Sequence, residues 1–179
     1  MNSISSINHP LAKFTRCPAC GSVAFEVNDV KSKTCRACGF TYYANPSAAT
    51  AAFIVRDGSL LVARRAKEPA KGTLDLPGGF VDMDETVEEG MAREIREETG
   101  LEVRAMSYLF SLPNLYEYSG MGIHTLDMFF RVEVDADAVP RADDDAATLQ
   151  WIPLKDVDPA LFGLQSISRA VEHFLFGTK

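Results

Sequence analysis

No stretch of this 179-residue sequence approaches the roughly 18 consecutive apolar residues that a membrane-spanning helix needs. The first sixteen residues hold no apolar run behind a basic start, so a secretory leader is not expected and a reducing, cytoplasmic setting is. Net positive charge is lacking as well: 18 Lys and Arg stand against 25 Asp and Glu, a balance of −7. Residues 1–44 carry +3 and leave −10 for the rest, which argues against generic nucleic-acid binding by the larger part of the chain. There is no G-x-G-x-x-G, no P-loop lysine motif and no nucleophile elbow. His9, His124 and His173 have no partner at ligand spacing, so each is expected to be an ordinary side chain. Internal repeats and low-complexity tracts are absent, and 46% apolar residues supply ample core.

Cysteine is scarce but patterned. Cys17-Pro-Ala-Cys20 and Cys35-Arg-Ala-Cys38 form two C-x-x-C pairs separated by 14 residues. Four thiolates so spaced match a tetrahedral Zn²⁺ site, and Gly21 and Gly39 suit the tight turns that aim backbone amides at sulfur. Two disulfides are the rival reading, disfavoured by a reducing compartment. A closed four-ligand site has no open position, so its role would be structural. A module of this size needs such a staple. The expected organisation is a tail over 1–13, a zinc ribbon over 14–44 and a main domain over 45–179, with Asn45-Pro46 at the join.

The main domain carries a concentrated acidic helix. Thr86-x-x-Glu89 reads as a capping box, Gly100 as the residue that ends the helix in a left-handed turn, and no proline intervenes. On such a helix Glu94, Glu97 and Glu98 share an arc of about 100°. Three carboxylates on one face repel unless a cation lies between them, and hard oxygen donors select Mg²⁺ or Mn²⁺. Arg93 can orient a glutamate by a charge-assisted pair. Leu76-Pro77-Gly78-Gly79 precedes the helix, and its glycines permit close backbone approach to metal or phosphate. A Glu-rich helix can also be a plain solvated face.

Gly79, Glu85, Arg93, Glu94, Ile95, Glu97, Glu98, Gly100 and Leu101 satisfy G-x5-E-x7-R-E-U-x-E-E-x-G-U without mismatch, U being a bulky aliphatic. On these residues the chain resembles the Nudix hydrolases, which cleave nucleoside diphosphates linked to another group with divalent metal. The resemblance implies an α/β/α sandwich with a mixed sheet over the main domain. It implies Mg²⁺ or Mn²⁺ held by Gly79, Glu94, Glu97 and Glu98, with Glu85 and Gly100 structural. Glu94 or a loop acid would take the proton from the attacking water. Asp145, six residues before Trp151 in the run Asp143-Asp144-Asp145, stands where the resemblance places that further acid, although an acidic loop is also ordinarily just solvated.

A zinc ribbon ahead of such a domain resembles the NADH pyrophosphatase group, whose S-Q-P-W-P-F-P-x-S segment corresponds to Ser111 through Ser119. Ser111, Pro113 and Ser119 match and Tyr116 keeps an aromatic, whereas Leu112, Asn114, Leu115 and Glu117 differ. Substrate binding is thereby expected at Phe110, Ser111, Tyr116 and Tyr118, the aromatics either stacking on a base or packing as strand core. The substrates implied are a NADH-like dinucleotide or NAD-type RNA cap, then ADP-ribose or FAD, then an oxidised nucleoside triphosphate. Nucleic acid is otherwise not an expected partner, and a homodimer is compatible with the resemblance. A nucleotide-sensing domain without turnover and an RNA- or protein-recruiting ribbon are the non-enzymatic readings.

Strands are expected at 24–27, 39–43, 50–56, 59–65, 101–111, 125–134 and 151–154, with a hairpin at Asp57-Gly58, an acidic loop over 138–147 and a closing helix over 166–176. Mixed strands with two helices give an α/β class.

Overall fold

The computed structural model describes residues 9–141 and 146–177. They form two compact units, one of residues 9–46 with 115–124, the other of residues 47–114 with 125–177.

The first unit contains a three-stranded antiparallel sheet of β1 (Phe25–Asp29), β2 (Ser32–Cys35) and β3 (Thr41–Tyr43). Among the described residues its core cluster is Cys17, Phe25 and Cys35 with Phe14 against them, and Leu11 is buried as well. His9 is buried, its Nε2 at 2.8 Å from the Asp29 carbonyl and its Nδ1 accepting from the Leu11 amide at 3.1 Å.

The second unit is built on a mixed sheet of β4 (Ser47–Arg56), β5 (Ser59–Arg65), β6 (Leu74–Asp75), β7 (Val103–Tyr118), β8 (Met121–Val134) and β9 (Ala146–Pro153), in the order β6-β5-β4-β8-β7 with β9 on β5. β4 and β8 run parallel, from Ser47 opposite Thr125 to Ile54 opposite Val132. The apolar run of β4 is buried on both sides, as a central strand requires. Ala51 and Phe53 face a core completed by Ile167, Ala170 and Val171 of α2 (Gln165–Phe176). Ala52 and Ile54 face a second core with Met91 and Ile95 of α1 (Val87–Thr99). The sheet is thus covered by one helix on each face, a mixed α/β sandwich of the kind expected. Asp57 and Gly58, with φ of 49° and 72°, make the β4–β5 turn where the hairpin signal lies.

Strand extents differ most where turn-forming residues dilute the pattern. β7 continues through Pro113 and Asn114 to Tyr118, and β8 begins at Met121, because Ser119 and Gly120, at φ of 51° and 68°, complete a tight turn. Strand β2 (Ser-Lys-Thr-Cys) and the first half of β9 (Ala-Ala-Thr-Leu-Gln), expected only from Trp151, escape the periodicity because they hold too few large apolar residues in alternation. Asp127 of β8 is buried where no alternation would place a charge. Ser166 at the start of α2 and Thr125 donate their hydroxyls to it at 2.5 Å each, so its carboxylate serves a helix N-terminus whose own N-cap, Leu164, has no capping side chain. Among the described residues no helix is long and apolar enough to cross a membrane.

Candidate active site and metal-binding cysteines

α1 starts and stops where its caps dictate. The Thr86 hydroxyl accepts from the Glu89 amide, the Glu89 carboxylate accepts from the Thr86 amide at 2.7 Å, and Gly100 ends the helix at φ 67°. The loop ahead of it is tied to β4: the Thr50 amide donates to the Gly79 carbonyl, the Ala52 amide to the Pro77 carbonyl (both 2.8 Å) and the Val81 amide to the Ala48 carbonyl at 3.0 Å. Gly78 has φ 145°, and a Cβ there would overlap the Thr50 carbonyl oxygen. The two glycines are therefore required for different reasons. A Cβ on Gly79 would stand 2.6 Å from the Glu94 carboxylate, so this position must be bare for Glu94 to occupy its place.

Arg93 organises the cluster. Its Nη2 donates to Glu85 Oε1 at 2.6 Å and to the Phe80 carbonyl at 3.0 Å, its Nε to Glu85 Oε2 at 3.1 Å, and its Nη1 to Glu94 at 2.7 Å and Glu97 at 3.1 Å. These partners, Glu85 foremost, raise the arginine's proton affinity, so it stays charged. Glu85 in turn is held below the usual carboxylate range by Arg93 and by the Asp82 amide. Burial pushes the Glu94 carboxyl up against the opposing pull of Arg93. Glu98, half-buried, accepts from the Gly78 amide at 2.9 Å. Glu94 and Glu98 thus meet the glycine loop, and Glu97, exposed, is tied to Glu94 through Arg93. The Gly79 carbonyl accepts the Thr50 amide at 2.8 Å, with the Thr50 hydroxyl at 3.5 Å. An all-oxygen donor set with one bare backbone approach fits a hard divalent cation better than any softer metal.

Of the other residues singled out by sequence, Phe110 packs between Phe129 (ring centroids 5.2 Å apart) and His173 (4.3 Å) in the core under α2. Ser111 is half-buried on the same strand. Tyr116, half-buried, and Tyr118, exposed, stand on the hairpin tip that belongs to the first unit. Asp145, with Asp143 and Asp144, lies outside the described residues. Two further residues, not expected from the sequence, join the cluster: Gly90, where a Cβ would lie 2.8 Å from Glu85 Oε1, and Phe80, an exposed ring directly after Gly79 whose carbonyl Arg93 holds. A lone glycine inside a run of good helix formers was the available signal for the first.

The four cysteines converge. All four sulfur atoms lie within 4.8 Å of one another, with Cys17 to Cys38 at 3.8 Å and Cys20 to Cys35 at 3.6 Å. A disulfide needs about 2.05 Å, whereas four thiolates around one ion at about 2.3 Å have tetrahedral edges of about 3.8 Å. Gly21 and Gly39, at φ 74° and 77°, turn their amides onto the Cys17 and Cys35 carbonyls at 2.8 and 2.9 Å. Against its burial, the Cys38 and Ala37 amides bring the Cys35 thiol down to about 6. At Cys20 the Ser22 amide favours the thiolate, but sharing a proton with Cys38, together with burial, pushes the thiol up to about 12. The four sulfur atoms are spaced to hold one metal ion.

The acidic helix face, its arginine and the glycine loop form one connected cluster rich in carboxylate oxygens. Residues 45–173 match the NUDIX domain, and the chain belongs to this family of hydrolases, which act on pyrophosphate bonds and need a divalent metal. It is 32% identical over 130 residues to an ADP-ribose pyrophosphatase of Methanocaldococcus jannaschii, covering 72% of this chain and 74% of that one. It is 28% identical over 153 residues to the NAD-capped RNA hydrolase NudC of Stutzerimonas stutzeri, spanning 86% of this chain but 52% of the relative. A crystal structure of a NUDIX hydrolase from Nitrosomonas europaea shares the fold with a TM-score of 0.70 at 19% identity, covering 90% of both chains.

Proposed function

We propose that this chain hydrolyses the diphosphate of a nucleoside diphosphate linked to another moiety, with a NADH-like dinucleotide or NAD-type RNA cap first and ADP-ribose or FAD as the alternative. The observation that carries the reading is the junction of α1 with the glycine loop, where Glu94 lies against the bare Gly79, Glu98 accepts the Gly78 amide and Arg93 ties Glu97 to Glu94. Relatives named as NAD-capped RNA hydrolase and as ADP-ribose pyrophosphatase support the substrate class.

On this reading Gly79, Glu94, Glu97 and Glu98 hold Mg²⁺ or Mn²⁺, which when bound neutralises the diphosphate and acidifies a coordinated water. Arg93 keeps Glu94 and Glu97 from splaying apart, and Glu85 keeps Arg93 from turning to solvent. Glu94, or an acid of the 143–145 run, receives the proton of the attacking water, and the leaving group departs as a phosphomonoester. Water is the nucleophile in this reading, and no covalent intermediate is formed.

The four cysteines take Zn²⁺ in a structural role, in a reducing compartment such as the cytoplasm. The test is a panel of NADH, NAD-capped RNA, ADP-ribose and FAD incubated with Mg²⁺ or Mn²⁺, with products weighed by mass spectrometry. Nucleoside monophosphate is the expected product in each productive case, and no turnover of any member would favour a sensing or recruiting role.

A further inference from the structure

Far along β4 from the glycine loop, Arg56 makes a contact set that the hydrolase chemistry has not used. Its Nη1 points into a group of carbonyls on the connection after β8, donating to Ala138 at 2.7 Å and Ala136 at 2.8 Å, with the Asp135 carbonyl at 3.5 Å. The same guanidinium lies over the Trp151 indole, 4.3 Å from its centroid. With Nη1 bonding the carbonyls, the planar guanidinium is left to stack on the indole face, which an ammonium cannot do.

Both contacts lead to α1. Trp151 packs on the core cluster that contains Met91 and Ile95, the buried face of that helix. The clasped connection runs on to Arg141, whose amide donates to the Thr99 carbonyl at 2.8 Å. Thr99 is the last residue of α1, and its carbonyl is among those a helix end leaves without an internal partner. Glu97 and Glu98 stand in that last turn, where fraying begins. Arg104 adds a second hold by pairing in a fork with the Asp135 carboxylate, at 2.7 Å from its Nε.

We propose that Arg56 is a positioning residue for the carboxylate cluster: by clasping the connection after β8 it holds the last turn of α1, so that Glu97 and Glu98 are preset for a divalent ion. The proposal rests on the metal-dependent reading given above. Its signature is a loss of metal affinity with the chemical step spared. Supporting groups of this kind usually change metal affinity by about 10- to 100-fold.

The test compares wild type, Arg56→Gln and Arg56→Lys as full-length, zinc-loaded protein. Mn²⁺ binding is measured by calorimetry and by quenching of the single tryptophan, amide exchange by NMR, and turnover as a function of Mg²⁺. Both variants should bind Mn²⁺ about tenfold more weakly and exchange the Arg141 amide at least tenfold faster. Amides of Leu60 to Val62 should be unaffected, and turnover at saturating Mg²⁺ should return to within about threefold of wild type. Lysine failing to rescue would show that the planar guanidinium stacked on Trp151, not the charge alone, matters. Should Arg56→Gln not fold, Arg141→Pro removes the N–H given to Thr99 without touching Arg56 and should weaken Mn²⁺ binding to the same extent. Unchanged Mn²⁺ affinity in the folded variants overturns the proposal alone, whereas Mn²⁺ binding that is absent from wild type, or that survives Glu98→Gln, overturns the metal-site reading beneath it.

Discussion

Gly79 and Glu94 occupy mutually exclusive space: a methyl group on the first would lie 2.6 Å from the carboxylate of the second. The atoms that would clash are the far end of a flexible side chain, so Gly79→Ala should fold and displace Glu94 rather than the backbone. A misplacement near 1 Å at a reacting centre costs about 100-fold. Gly79→Ala should therefore lose about that factor in kcat with little change in Tm. Gly78→Ala differs, because its methyl would overlap backbone at Thr50 and lie 2.8 Å from the Ala51 Cα, so it should lower Tm first. Thermal melts alongside kinetics on the two variants separate these outcomes.

Acidification should loosen the arginine-centred cluster. Arg93 and the Asp82 amide hold Glu85 below the usual carboxylate range. A carboxylate whose folded pKa is depressed adds stability above its unfolded value, near 4.3, and loses it as pH falls through the folded value. The Tm gap between wild type and Glu85→Gln should thus be widest at neutral pH and close below about pH 4. A gap independent of pH would mean that Glu85 acts only by shape.

Zinc should be found at one ion per chain by elemental analysis. Cys35→Ser, or a strong chelator, should unfold the ribbon while the second unit keeps its amide protection, since Cys17, Phe25 and Cys35 are nearly all the ribbon's own core. Two disulfides without metal in protein purified free of reductant and chelator would contradict the ribbon and its reducing compartment.

Tyr116→Ala tests whether the hairpin tip takes part in substrate binding. If the ring stacks on a base, KM for dinucleotides should rise about tenfold, in line with the roughly 1 to 3 kcal/mol that such stacking is worth, and kcat should hold. A fall in Tm with KM unchanged would make Tyr116 a packing residue.

The acidic helix α1 was legible because each of its demands leaves a residue at a fixed distance: Thr86 and Glu89 for the cap, Gly100 for the stop, Arg93 among its glutamates. The cysteine tetrahedron was legible for the same reason. Asp127 was not, since a buried carboxylate serving the start of a helix 39 residues later has no local pattern. Arg56 likewise reads as the polar end of a strand, and its carbonyl partners lie about 80 residues away. Turn residues at Pro113, Asn114, Ser119 and Gly120 hid the length of the β7–β8 hairpin, where pairing between long strands overrides local preference.

The most direct test of the account is turnover by Glu98→Gln beside wild type, with Mn²⁺ or Mg²⁺ and the best substrate of the panel. The account predicts that wild type releases a nucleoside monophosphate and its partner phosphomonoester. The variant should melt at or above the wild-type temperature without metal, since one of three crowded charges is gone, yet turn over about 10³-fold more slowly or worse. Near wild-type turnover by a folded Glu98→Gln protein would contradict the account.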